Sequence, residues 1–137
     1  MKGLPSFHDD FLVSYEVDCE NRRIRLHTRV DPRERAKRGQ RPRTFIFNGV
    51  EGYQFENDAF GNIIFALEAV SIEQLFAEYG ARIAESSRLA GAPGPWAGDI
   101  AAAPHSLKAK GVQAFRVSSS YGLSGWILAK EVFVEQA

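Results

Sequence analysis

The chain has a single cysteine in 137 residues, so Cys19 cannot close an internal disulfide or belong to a site built from several thiolates. Long hydrophobic runs are missing too. The longest, Ile63 to Leu67, falls far short of the roughly 20 residues that span a bilayer. Asp9 and Asp10 interrupt the beginning of the chain before a signal-peptide core can develop, and together these absences point to a cytoplasmic protein. Seventeen basic residues balance seventeen acidic ones, which excludes a global field that would gather nucleic acid or anionic lipid. Histidine is scarce: His8, His27 and His105 never approach the i, i+4 spacing of a helical metal site.

What is present is ordinary globular composition at a length that suits one domain, expected to span 1–137. Phe11, Val13, Tyr15 and Val17 alternate with Leu12, Ser14, Glu16 and Asp18, the period of a strand with one core face. Ile24, Leu26, Thr28 and Val30 repeat it between Arg23, Arg25, His27 and Arg29. Folding about Glu20 and Asn21 sets Val17 opposite Ile24, Tyr15 opposite Leu26, Val13 opposite Thr28 and Phe11 opposite Val30. The same register brings Asp18 to Arg23 and Glu16 to Arg25, so the apolar and charged patterns select one pairing.

Asp31 to Arg43, with Pro32, Gly39 and Pro42 among charges, reads as an exposed, mobile loop. Phe45 to Phe55 resumes strand character, bent by a bulge at Gly49 and Gly52. Ile63 to Val70 is apolar on both parities, as in a central strand covered on both faces. Ser71 with Gln74 has capping-box spacing, and Val70 with Leu75 that of a hydrophobic staple. A helix carrying Ile72, Leu75, Phe76, Tyr79 and Ile83 on one side follows; it stops at Gly80 or runs on to about Arg88. Gly91 to Gly111 reads as a long loop anchored by Trp96, and Val112 to Tyr121 and Trp126 to Glu135 as a closing hairpin. The expected fold is α+β: an antiparallel sheet of about six strands with one main helix packed on one face.

Catalytic patterns are thin. His8, Asp9 and Asp10 form the one cluster whose residue types suit a metal or proton transfer, but no further ligand stands at a matching spacing, and we expect no metal and no cofactor. Cys19 lies between acidic neighbours, which argues against a nucleophile. Gly122-Leu123-Ser124-Gly125 is not a nucleophile elbow, and the glycine pairs lack the rest of a phosphate loop.

The strongest clustering is basic. Ten of the seventeen cations lie between Arg22 and Arg43. Arg23, Arg25, Arg29, Arg33, Arg35, Lys37, Arg38, Arg41 and Arg43 are the candidate partner surface, suited to a protein with an acidic patch. The alternative is a nucleic-acid-binding accessory protein using the tract 22–43, although no aromatic residue interleaves it to stack bases. The order of Phe47-Asn48-Gly49-Val50-Glu51-Gly52-Tyr53, Gly61-Asn62-Ile63-Ile64-Phe65 and Ser119-Ser120-Tyr121-Gly122 before Gly125-Trp126 resembles a group of small bacterial proteins and is distantly similar to the immunity protein 50 family from polymorphic toxin systems. That resemblance implies a non-enzymatic protein that neutralises a toxin by covering it, with no catalytic residues.

Overall fold

The computed structural model describes residues 10–30 and 42–136. Strands β1 (Asp10–Asp18), β2 (Arg23–Arg29) and β3 (Arg43–Glu56) form one antiparallel meander, and β4 (Asn62–Val70), β5 (Gln113–Tyr121) and β6 (Ser124–Gln136) form another. β6 pairs along the whole of β3, and β1 pairs with β4 from Asp10↔Ile64 to Leu12↔Asn62. The sheet therefore closes in the order β1-β2-β3-β6-β5-β4. Two partial layers become a barrel, and one apolar face becomes its interior. Leu12, Ile24, Leu26, Phe45, Phe47, Leu67, Phe115 and Ile127 fill that interior, with the rings of Phe47 and Phe115 meeting edge to face at 5.2 Å.

The β1–β2 register holds over its turn-proximal half: Val17↔Ile24, Tyr15↔Leu26, Glu16↔Arg25 and Asp18↔Arg23. Beyond Ser14 a bulge shifts it, so that Leu12 faces Thr28 and Phe11 faces Arg29. Leu12 is buried, and Val13 is 58% exposed. The expected inward positions of Phe11 and Val13 are thus corrected. The bulge was hidden because Phe11, Leu12 and Val13 are all apolar, which leaves either parity able to supply the core.

The helix α1 (Ile72–Ala90) begins as expected: the Ser71 side chain accepts from Gln74 N, and Val70 packs in the same cluster as Leu75. It passes through Gly80 and stops at Gly91, whose left-handed φ of 70° and N–H to Ser87 O close the last turn. One main helix was expected, and a second is found. Gly91 to Gly111 is not a plain loop, because it contains a 3-10 turn (Pro95–Gly98) and α2 (Ala103–Ala109). Its alanines disguised it: Ala97, Ala103 and Leu107 are buried under α1, a contact that short Ala/Pro sequence does not announce. These helices cover the outer side of β5 and β6 through Val112, Ala114, Trp126 and Leu128, while the inner residues Phe115 and Ile127 fill the barrel. β4 is not covered on both faces, since Glu68 and Ala69 are exposed. The bulge in β3 lies where expected, between Val50 and Gly52. Among the described residues no helix is long and apolar enough to cross a membrane.

Candidate protein-binding surface

Strand pairing carries Arg23 and Arg25 into cross-strand rows on the barrel's outside. Asp18, Arg23, Asn48 and Glu131 form one row, and Glu16, Arg25, Ile46 and Phe133 another. Arg23 Nε donates to Asn48 Oδ1 at 2.8 Å, and Arg25 lies 3.8 Å from Glu16. His27 stands between Glu16 and Thr44 at 2.8 and 3.0 Å. Opposite charges on adjacent strands satisfy one another here, so this face presents little uncompensated positive charge.

Arg43 departs furthest from expectation. It is not a surface cation: 12% exposed, it meets the fully buried Asp10 carboxylate at 2.6 Å. Asp10 accordingly is a buried partner of Arg43 rather than part of an open polar cluster, and its supposed companions His8 and Asp9 lie outside the described residues. Among the described residues no group of three metal-ligating side chains exists. Arg33, Arg35, Lys37, Arg38 and Arg41, with the loop expected to carry them, also lie outside the described residues.

Arg29 has a different setting. Its guanidinium lies 5.0 Å from the Phe11 ring centroid, and Phe11 pairs with Ile63, which pairs with Tyr121. Directly paired residues project from the same face, so Arg29, Phe11, Ile63 and Tyr121 form one row across β2, β1, β4 and β5. The buried residues Leu12, Thr28 and Asn62 next to them in sequence confirm that the row points outward. Tyr121 is 60% exposed, Val13 stands beside Phe11, and Phe60, immediately before this edge of β4, is fully exposed. Phe11, Val13, Arg29, Gly61 and Ile63 surround a shallow hollow of about 300 Å³. No protein-family model, curated protein or solved structure matches the chain. The surface is therefore interpreted on its own geometry.

Sequence reasoning reached Arg29 but missed the apolar residues beside it. Three apolar residues in succession at 11–13 were the only local signal, and the β1–β4 closure that assembles the row joins segments far apart in the chain.

The turn under this edge is held by polar contacts. The Tyr15 hydroxyl donates to Asp58 Oδ2 at 2.5 Å. That bond, followed by burial and the Asp58 charge, pushes the phenol up to about 12. Because the folded protein keeps this proton after the unfolded chain loses it near pH 10, the contribution is complete below about pH 10 and disappears as pH rises through about 12. In a phenolate absorbance titration, Tyr15→Phe should remove a late-titrating tyrosine. Tyr79, raised mainly by burial, should remain.

Proposed function

We propose that this is a non-catalytic protein-binding protein whose contact surface is centred on the Arg29–Phe11–Ile63–Tyr121 row, with Val13 and Phe60 beside it. The observation that carries this reading is the contiguity of the exposed Val13, Phe60 and Tyr121 with the half-buried Phe11 and Ile63 across adjacent strands. Scattered surface apolar groups need no explanation, whereas a connected patch bearing aromatic residues and an arginine has the composition of interface hot spots. The partner is a protein with an apolar centre and an acidic border. Arg29 supplies positive charge at one end of the row, and in the sequence five more cations follow β2, at 33, 35, 37, 38 and 41. Neutralising a toxin by covering it is the specific role that fits, and the resemblance to the immunity protein 50 family supports it.

Capture from the native cell identifies the partner, and titration of the purified pair tests the surface. Phe60→Asp should weaken binding at least 100-fold without lowering the melting temperature, because Phe60 packs on nothing it would leave exposed. Arg29→Glu should slow association and flatten its dependence on salt. Full binding by Phe60→Asp combined with Val13→Asp would remove this face from the interface. If the chain instead holds heterologous RNA with an affinity falling linearly against log salt, the nucleic-acid reading takes its place.

A further inference from the structure

A different surface arises because β3 outruns the hairpin beside it. Pairing with β2 ends at Arg23↔Asn48, whereas pairing with β6 continues to Glu56↔Ser124. Val50 is the last residue whose backbone bonds to the hairpin: its N–H donates to Arg22 O at 3.0 Å, and its carbonyl accepts from the Arg22 guanidinium at 3.3 Å. Trp96 Nε1 then occupies the Glu51 carbonyl at 2.8 Å. From Gly52 onward, no strand among the described residues runs beside this edge of β3.

A cleft of about 380 Å³ follows the open stretch. Gly52, Tyr53, Gln54 and Phe55 all line it, with Ile83 and Ser86 of α1 on the opposite wall. Successive strand residues point to opposite faces, so a cleft touched by four in succession runs along the strand's edge. The hydrogen-bonding alternation supplies the detail. Val50 faces β2 with both backbone groups, so Val50↔Ala129 is a pair not bonded across β3–β6. Following β6 from Ala129, the unbonded pairs recur at Tyr53↔Ile127 and Phe55↔Gly125. The N–H and C=O groups of Tyr53 and Phe55 therefore face the cleft. Trp126 forms part of its wall, is 1% exposed, and its Nε1 has no partner among the described residues.

We infer that this cleft is a site for an extended peptide segment of another protein, which adds as a short strand to the edge of β3 between Tyr53 and Phe55 and sets an apolar side chain against the accessible lining from Phe55, Ala92 and Pro93. The strand edge supplies backbone pairing, and the apolar wall supplies selectivity for alternate side chains. A single flexible segment suits the space, because α1 and Pro93 wall the short open edge against the flank of another folded sheet. The site is separate from the Arg29–Phe11–Ile63–Tyr121 row and stands or falls without it.

The probe is a phage-displayed library of linear peptides selected against the full chain, followed by amide exchange on the complex. Selected peptides should slow exchange at the Tyr53 and Phe55 amides at least tenfold. Ser86→Trp, which fills the cleft from the helix side, should weaken the same peptides at least tenfold while leaving the melting temperature unchanged. Tyr53→Pro, which deletes an edge donor, should weaken them similarly. If Tyr53→Pro unfolds, Ser86→Trp and the exchange pattern still decide. Failure to select any peptide, protection confined to other amides, or protection that appears with protein concentration alone would each overturn the inference.

Discussion

Arg43→Ala is expected to cost about 3–5 kcal/mol of folding stability, the scale of a buried ion pair broken from one side. The Asp10 carboxylate is wholly removed from water where β1 meets β4, and the Arg43 guanidinium reaches it from the start of β3 at 2.6 Å. Deleting Arg43 takes a cationic partner at 2.6 Å away from a carboxylate that lies wholly out of water. The cost comes chiefly from the weakened compensation of that buried carboxylate, because an intact buried pair gains little over well-packed apolar groups. Asp10→Leu combined with Arg43→Met should therefore recover most of the loss. Urea unfolding of the single and double variants measures the difference, and a loss below about 1 kcal/mol for Arg43→Ala would show that the pair is solvated.

The second large effect belongs to Asn62. Its Oδ1 accepts from Leu123 N at 2.8 Å and Ala59 N at 3.0 Å, and its Nδ2 donates to Asp58 Oδ1 at 3.2 Å. One side chain thus joins the β3–β4 turn to the β5–β6 turn beneath the barrel. Leu123 is fully buried, so Asn62→Ala should strand its N–H and cost about 3 kcal/mol, the upper part of the range for an unsatisfied buried donor. Asn62→Asp keeps the acceptor but sets a carboxylate beside Asp58 and should fall between wild type and Asn62→Ala. Equal stability of all three in urea would contradict this account. Gly122 belongs to the same arrangement: its φ of 98° suits glycine, and a Cβ there would collide with the Asn62 carboxamide. Because this turn carries Phe60, Asn62→Ala should also weaken partner binding through the turn's position.

Local structure was legible wherever one short pattern had one physical solution. Ser71, Gln74 and Leu75 announced the start of α1, since capping satisfies specific backbone donors at fixed spacing. Gly49 and Gly52 announced the bulge in β3, and the charges at 16, 18, 23 and 25 reinforced the hairpin register. Residues 103–109 were illegible because a short alanine-containing helix depends on burial by neighbours more than on its own propensity. The surface was harder still. Arg23, Arg25 and Arg29 alternate identically along β2, yet their partners differ: Asn48, Glu16 and the Phe11 ring.

By itself, the amino-acid order determined the hairpin ribbons, the principal helix with both possible stopping points, and the concentration of cations near the beginning. Only tertiary structure decided that the sheet closes on itself, that Arg43 lies inside with Asp10, and that Phe11, Ile63 and Tyr121 share one outward-facing row. The physical reason is the range of the interactions involved. Capping and strand alternation are settled among residues a few positions apart. Barrel closure, burial of a charge and the outward face of a bulged strand depend on segments that meet only after the chain has folded.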